Sequence, residues 1–321
     1  MIKVTAQRNV FGQLLFLTQE NNIDLLKVMA YPLGPVPWSL ATADGMPIKT
    51  NKAVLMHRLE EASSLKSPQS EFQIHVIDGN ALFHTLTQLP DTFGEIAFHI
   101  FAALPKTTKI HFLTDNYKHT SIKSLERSRR GTSQAYTIAG PSTQIPKEWK
   151  TFLMNVRNKT QFIKFLLSEW RKDEYAEMLQ GREIVFACDF ECFLLSSEDG
   201  ITTDATPLPN LASSQEEADT LIILHSLNAD QKAANEDAII VIHSPDTDVF
   251  ILLLAFCHKF CHLLYFDTGV GNKRRIIHIQ SLCEKIHRNI LDSLLGLHAI
   301  TGCDVNSAFE QKGKIKPLNV L

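Results

Sequence analysis

The chain has 321 residues, of which 44% are hydrophobic, 21% charged and 8% aromatic, and its formal net charge is −3. This composition is typical of a soluble globular protein with a full hydrophobic core, and it excludes disordered, collagenous and small disulfide-scaffold chains. The net charge taken alone disfavours a nucleic-acid partner, because nucleic-acid-binding domains are usually basic.

The N-terminal sequence, the apolar runs and the spacing of the cysteines predict the cellular compartment. No early segment joins a basic stretch to a long apolar stretch, so we expect no secretory signal. The longest apolar run, Val249 to Cys257, is about half of what a bilayer requires, so we expect no membrane association. The six cysteines are scattered through a long chain, which favours a reduced intracellular protein in the nucleus or the cytoplasm.

Residues 1–70 differ from the rest of the chain. A loop rich in Pro and Gly, Tyr31 to Thr42, lies between two segments with helical spacing. The stretch SSLKSPQS that ends at Ser70 is typical of a linker. We therefore expect an N-terminal helical and loop appendage over residues 1–70, followed by one larger domain over residues 71–321.

From Phe72 onward, short Val- and Ile-rich segments alternate with helical segments. This alternation predicts an α/β fold with a parallel sheet covered by helices on both faces. The predicted strands, of which the last two form a candidate hairpin, are FQIHVID, KIHFLTD, REIVFACDF, AIIVIHS, HLLYFD and RRIIHIQ.

Acidic residues follow several of these strands or open the helices. They are Asp78, Asp115, Glu216, Glu217, Asp219, Asp246, Asp248 and Asp304. In an open parallel sheet, functional groups gather at the carboxyl ends of the strands. Carboxylates that meet there repel one another, so a bound cation is the natural compensation, and ligand sets made only of oxygen favour Mg²⁺ or Mn²⁺. Two such ions about 4 Å apart support phosphodiester hydrolysis.

Each acid taken alone has a simpler interpretation. A single Asp after a strand is usually a turn or helix-cap residue. Asp248 would then lie in a first helical turn, where the helix dipole stabilises it, and Ser214 with Glu217 would form a capping box. This interpretation leaves unexplained why the acids recur at strand ends in order along the chain.

Five blocks carry a family resemblance: VIDGNALFH, FLTDNYKHTSIKSLERSRRG, QEEADT, SPDTD and TGCDVNSAFEQKGK. In this order they resemble the motifs of PIN-like nucleases of the flap-endonuclease and XPG type, over Phe72 to Lys316. The forms SIKSLERSRRG and LLGLHAITGCD also resemble a group of animal proteins, some of them associated with mobile elements. The resemblance implies a PIN-like sheet, a C-terminal helix–turn–helix-like element, and a site for two Mg²⁺ or Mn²⁺ ions. The implied metal ligands are Asp78, Asp115, Glu217, Asp219, Asp246, Asp248 and Asp304.

One ligand position stays open between two neighbours. Glu217 matches the family motif, whereas Glu216 and Asp219 are i, i+3 neighbours and would share a helix face. The motif match favours Glu217.

Basic residues are concentrated directly after Asp115. A solvated helix face is the ordinary explanation of such a run, but next to a metal site the same side chains would contact phosphates. By resemblance, Lys123 and Arg129 are candidate catalytic residues that hold the scissile phosphate. The candidate nucleic-acid-binding residues are Lys118, Arg127, Arg130, Lys312 and Lys314.

Two features depart from the family pattern. The glycine-rich turn of the family's helix–turn–helix keeps only Gly313, and residues 1–70 precede the first strand. The sequence predicts a two-metal nuclease that acts on nucleic acid, with DNA favoured over RNA and the choice between them left open. The alternative is a non-catalytic PIN-like scaffold that binds nucleic acid or protein, although such a scaffold has no physical reason to keep mutually repelling acids.

Overall fold

A computed structural model describes residues 12, 13, 15–17, 24, 26, 37–42, 45–61, 70–117, 133–233, 237–304 and 306–321. The chain divides into two compact units, the terminal unit (Met1–Arg58 with Ser293–Leu321) and the sheet unit (Leu59–Asp292). This division does not fall at residue 70. The appendage over residues 1–70 stays a prediction, because much of that segment lies outside the described residues.

The sheet unit is built on an eight-stranded sheet in the order β5-β4-β3-β2-β1-β6-β7-β8. The five central strands, from β3 to β7, run parallel, while β4, β5 and β8 join antiparallel at the two edges. The strands are β1 Gln73–Asp78, β2 Lys109–Leu113, β3 Glu183–Cys188, β4 Glu191–Ser196, β5 Asp204–Pro207, β6 Ile239–His243, β7 Leu263–Thr268 and β8 Arg275–His278.

The predicted α/β class is confirmed, and the sheet has antiparallel pairs at β4 and β5 in addition to the expected hairpin. All six predicted strands are present, and the candidate hairpin is the antiparallel pair β7–β8. Strands β4 and β5 were not predicted. The segment REIVFACDF was predicted as one strand, whereas the chain reverses at Asp189 and Phe190, both with positive φ. Hairpin turns of this kind usually contain glycine, because other residues seldom adopt positive φ. This turn has no glycine, so the sequence did not indicate it.

Helices connect the strands. The sequence predicts a helix over Asn80 to Leu104 with a break near Pro90, and the chain is indeed non-helical between Thr85 and Phe93. A second helical region, predicted over Glu148 to Leu179, is interrupted at Asn155, whose side chain caps the next helix by accepting from Arg157 N. The helices are α1 Ala53–Glu60, α2 Gly79–Thr85, α3 Phe93–Ala103, α4 Trp149–Met154, α5 Val156–Trp170, α6 Ala176–Leu179, α7 Ala218–Lys232, α8 Thr247–Phe256, α9 Ile279–Lys285, α10 Arg288–Ile300 and α11 Ile315–Leu318.

Aromatic side chains fill the core on one face of the sheet unit. Trp170 is fully buried, packs edge-on against Phe112 and Phe186, and donates its indole N–H to the Ala97 carbonyl at 3.0 Å. Trp149 donates likewise to the Phe83 carbonyl at 2.9 Å. Burying both indoles without an unpaired N–H gives the large apolar contribution of an aromatic core at little polar cost. The same core includes buried side chains of β1, β2 and β3.

The terminal unit joins the two ends of the described chain. Ala308 N donates to the Ile48 carbonyl at 2.8 Å, and Glu310 N donates to the Ser39 carbonyl at 2.9 Å. Thr50 Oγ1 donates to the Thr301 carbonyl at 3.1 Å. These bonds connect residues far apart in sequence, so the C-terminal residues form part of this unit.

Among the described residues, no helix combines the length and the apolar character needed to cross a membrane.

Candidate metal centre

Three carboxylates converge at the carboxyl ends of the central strands. One oxygen each from Asp219, Asp246 and Asp248 lies within 4.8 Å of the other two, and all three residues are half-buried. We call this group the acid cluster. It lies close to the junction of β1 and β6, where the parallel strand order reverses direction. In doubly wound sheets this topological switch point is where ligands bind.

Two helix N-termini present the acid cluster. Asp246 is the N-cap of α8, and its Oδ1 accepts from Asp248 N at 2.9 Å. Asp248 lies in the first turn of α8, and Asp219 lies in the first turn of α7. The positive ends of both helix dipoles stabilise carboxylates at these positions. The capping interpretation therefore explains part of the role of Asp246. It does not explain why Asp219 lies close to Asp246 and Asp248.

Asp78 is a buried neighbour of the acid cluster at the end of β1. Its carboxylate accepts from Ala81 N at 2.9 Å and from Ser244 Oγ at 3.2 Å. Burial, assisted by the negative charges of Asp115 and Asp246, raises the pKa of Asp78 to about 6. Ser244 Oγ in turn accepts from Asp246 N at 3.2 Å, so one hydroxyl joins Asp78 to the cluster backbone.

Asp115 follows β2 and holds the start of α7. Its two carboxylate oxygens accept from Ala218 N at 3.0 Å and from Asn80 Nδ2 at 2.7 Å. Ala218 directly precedes Asp219, so Asp115 fixes the backbone that presents a cluster acid. Asp115 is near enough to raise the pKa of Asp78, but its carboxylate is outside the three-acid group.

The two glutamates before α7 lie outside the three-acid group as well. Glu217 is the N-cap residue of α7, and the Glu216 carbonyl accepts from Asn116 N at 2.9 Å. The helix begins at Ala218, so the capping box between Ser214 and Glu217 is not formed. The choice between Glu216 and Glu217 as a ligand stays open.

Asp304 belongs to the terminal unit. Its carboxylate lies 3.3 Å from Lys52 Nζ, and its backbone carbonyl accepts from Lys49 Nζ at 2.5 Å. Both lysines belong to the same unit. The predicted seventh acid is thus held by cations of its own unit.

The basic residues expected to contact phosphate have different outcomes. Five of them lie outside the described residues, namely Lys118, Lys123, Arg127, Arg129 and Arg130. Lys312 is exposed. Lys314 is only 2% exposed, and its ammonium donates to the Gly302 carbonyl at 2.6 Å and to Thr301 Oγ1 at 3.1 Å. Its predicted role in nucleic-acid binding is therefore corrected: Lys314 stabilises the terminal unit from inside.

Sequence reasoning missed the polar residues that support the site. Asn116 is buried and joins three segments: its amide oxygen accepts from Phe190 N at 2.8 Å, and its amide nitrogen donates to the Gln215 carbonyl at 2.8 Å. Asn80 and Ser244 bond Asp115 and Asp78 directly. Their only sequence signal is that each lies within two residues of a predicted acid or acid pair.

Gly79 allows the first strand to approach the second. A Cβ at this position would lie 2.7 Å from the Phe112 ring and 2.9 Å from the Leu113 carbonyl oxygen. Any side chain here would push Asp78 away from Asp115, because the two strands are neighbours in the sheet. The glycine in VIDGN is thus explained by packing.

Comparison with known proteins adds no family assignment: no protein-family model matches the chain, and no curated protein matches it in sequence.

Proposed function

We propose that this protein is a divalent-metal-dependent nuclease with a PIN-like fold. The observation that supports the proposal is the convergence of three half-buried carboxylates within 4.8 Å at the switch point of the sheet, next to a buried fourth carboxylate. Mutually repelling acids cost folding free energy unless a cation neutralises them. A site that keeps them at the end of a parallel sheet is therefore best explained by cation binding.

The donor set fits Mg²⁺ or Mn²⁺. The acid cluster offers oxygen ligands without a thiol or imidazole, and hard divalent cations prefer such oxygens. Asp219, Asp246 and Asp248 would hold one ion, and Asp78 with Asp115 would contribute to a second. A bound divalent cation neutralises phosphate charge and lowers the pKa of water, which is the chemistry that phosphodiester hydrolysis requires.

The remaining residues have roles that follow from their chemistry. Asp115 and Asn116 position the start of α7 through backbone hydrogen bonds. Lys123 and Arg129 are proposed to hold the scissile phosphate, with Lys118, Arg127, Arg130 and Lys312 as backbone contacts. Glu217 completes the proposed acid set of the sheet unit, whereas Asp304 stays a prediction from the sequence. The C-terminal segment is proposed to act as a helix–turn–helix-like contact with DNA.

The test compares cleavage by the wild type and by the double variant Asp246→Asn/Asp248→Asn. Substrates are single-stranded, flap and duplex DNA and single-stranded RNA, each with Mg²⁺ or Mn²⁺. We expect wild-type cleavage on at least one DNA, and a loss of roughly 10²-fold or more in the variant, because charge stabilisation by a metal contributes several kcal/mol. The matched control is Glu198→Gln/Asp204→Asn, which removes the same charge at exposed positions near β5.

Equal cleavage by the wild type and the cluster variant would overturn the proposal. A distinct result separates the two predicted functions. If Mn²⁺ raises the melting temperature of the wild type and not of the cluster variant, but neither cleaves any substrate, the site binds metal without catalysis and the result favours the non-catalytic alternative.

A further inference from the structure

A second feature of the sheet unit lies beside the acid cluster. A cavity of about 350 Å³ opens at the carboxyl ends of β1, β6 and β7. We call it the β7 pocket. Its volume is at the lower end of the range for small-ligand sites. Asp78 forms part of its wall, and Ser244, which also lines it, bonds both Asp78 and the backbone of Asp246.

The wall of the β7 pocket combines apolar surface with a few fixed polar groups. Ile77, Leu82 and Pro245 contribute apolar surface, and Val270 at the rim is 63% exposed. An exposed valine beside a cavity is an apolar surface that a ligand can cover. The pocket therefore suits a group that is flat and apolar on its faces and polar at its edge.

A chain of hydrogen bonds makes the polar side of the pocket rigid. Arg274 binds Asp267 through two nitrogens, with Nη2–Oδ2 at 2.6 Å and Nε–Oδ1 at 3.0 Å. His243 Nδ1 donates to the same carboxylate at 3.0 Å, and His243 Nε2 lies 2.7 Å from His75 Nδ1. Groups fixed before a ligand arrives lose little entropy on binding it.

The Arg274 guanidinium is fixed in place yet reachable by a ligand. Its side chain is 60% exposed, while the Asp267 carboxylate that holds it is 5% exposed. Because Asp267 neutralises the charge, this arginine is a weak phosphate ligand, but its planar face can still stack. Arginine planes and apolar side chains are surfaces on which bases of single strands stack.

We propose that the β7 pocket receives one unpaired base of the nucleic-acid strand, from a nucleotide next to the phosphate on which the acid cluster acts. The inference rests on the proposed function, because that function supplies the strand. Asp78 lines the β7 pocket and is also a neighbour of the acid cluster. A base in the pocket and a phosphate at the cluster would therefore lie side by side. The substrate class that follows is a single-stranded segment with an unstacked base at the cleavage position.

The first test measures binding without metal. Ligand-observed NMR in EDTA measures the binding of two probes, dAMP and dTMP. The proteins compared are the wild type and two pocket variants, Val270→Asp and Val270→Lys. Both substitutions remove the apolar rim, so we expect both to weaken binding of the two probes about tenfold, a typical loss for one stacking contact. The controls are Ile201→Asp and Ile201→Lys, at an exposed apolar residue near the β4–β5 edge.

Opposite effects of the two Val270 variants would overturn the inference, because they would show attraction to phosphate charge in place of contact with the base. Wild-type protein that binds neither probe would overturn it as well. Both outcomes leave the proposed function intact, since no cleavage is measured in EDTA.

The second test places one abasic residue at successive positions of a cleavable single-stranded DNA. We expect one position beside the cleaved bond to lose about tenfold in cleavage rate, and the Val270 variants to lose this sensitivity. Uniform tolerance of abasic residues would contradict the pocket. Failure of the proposed function is recognised separately, as cleavage that is absent or independent of Asp246 and Asp248.

Discussion

Burial and hydrogen bonding act against each other at Asp78. The residue caps α2 and accepts two hydrogen bonds, which favour its charged form, yet burial and two neighbouring acids dominate and raise its pKa to about 6. A carboxyl that resists ionisation near neutral pH costs the fold stability until a cation or a proton neutralises it. Such perturbed groups are concentrated at functional sites.

The sign of the pH effect follows from this shift. The folded state holds the proton on Asp78 up to a higher pH than the unfolded chain does. In EDTA, its contribution to stability is therefore lost as pH rises from about 4 to about 6. The shift from 3.8 to about 6 corresponds to on the order of 3 kcal/mol.

The variant Asp78→Asn removes this titration. We predict that, in EDTA, its free energy of unfolding measured with urea rises relative to the wild type between pH 4 and pH 7. The control variant is Asp204→Asn. Asp204 is exposed, so this substitution relieves no burial penalty. A difference between Asp78→Asn and the wild type that stays constant with pH would contradict the assignment.

Among individual residues, the acids were easier to predict than their supports. Asp246 and Asp248 follow an obvious strand, so their position at the sheet edge could be predicted from periodicity alone. Asn116 and Ser244 could not be, because an amide or hydroxyl beside a turn is ordinary until its partners are known. Those partners lie up to 166 residues away, as for Ser244 and Asp78.

The start of α7 is the element on which the acid cluster most depends. Asp115 binds Ala218 N, and Asn116 binds the carbonyls of Gln215 and Glu216 on the preceding turn. Both donors and acceptors come from the end of β2, so the sheet positions the helix directly. Asp219, in the first turn of this helix, then lies close to Asp246 and Asp248.

Removing the Asn116 side chain tests this dependence. We predict that Asn116→Ala lowers the free energy of unfolding by about 1–3 kcal/mol, since Phe190 N loses its partner. We also predict weaker Mn²⁺ affinity, read from the Mn²⁺ electron paramagnetic resonance signal. The control is Asn155→Ala, which removes the N-cap of α5 and costs about 1 kcal/mol. Equal Mn²⁺ affinity in the two variants would show that Asn116 is structural only.

Among the helices and strands, prediction failed where a turn had unusual backbone geometry. The six strands predicted from apolar runs are all present, because strands buried on both faces have a clear apolar signature. The β3–β4 reversal was missed, since Asp189 and Phe190 adopt positive φ under constraints from tertiary packing. Asn116, which accepts from Phe190 N, is one such constraint.

At the scale of the whole molecule, buried histidines make the fold less stable under acid conditions. Burial lowers the pKa of His75 to about 3 and that of His225 to about 4, and holds the pKa of His111 well below its usual value. As pH falls below about 6.5, the unfolded chain takes up protons that the folded chain refuses. Stability from these groups is thus complete above pH 6.5 and is lost toward pH 4, the reverse of Asp78.

The pair His111–His225 allows a direct test. Their Nδ1 atoms lie 3.0 Å apart, and neither Nε2 has a hydrogen-bond partner among the described residues. We predict that His111→Leu/His225→Leu reduces the fall in unfolding free energy between pH 6.5 and 4.5, by up to about 1.4 kcal/mol per pH unit for each histidine. Exposed His99 gives the control variant, His99→Gln. A pH dependence unchanged from wild type would contradict the prediction.

The net charge of −3 does not show where the acids lie in the fold. Three of the acids that contribute to it are gathered in one cluster and have a physical reason to bind cations. The total charge cannot express this clustering, because it depends on strand order and on contacts between distant segments. The position of each acid in the folded sheet is therefore more informative than the total charge.

The strand order also has a consequence for biosynthesis. β1 pairs with β6, and Ser244 reaches Asp78 across 166 residues. Chains emerge from the ribosome N-terminus first, so Asp78 and Asp115 are translated long before Asp246 and Asp248. A nascent chain therefore cannot assemble the acid cluster until β6 and the start of α8 have left the exit tunnel. Incomplete translation products that end before Asp246 lack two of the three cluster acids.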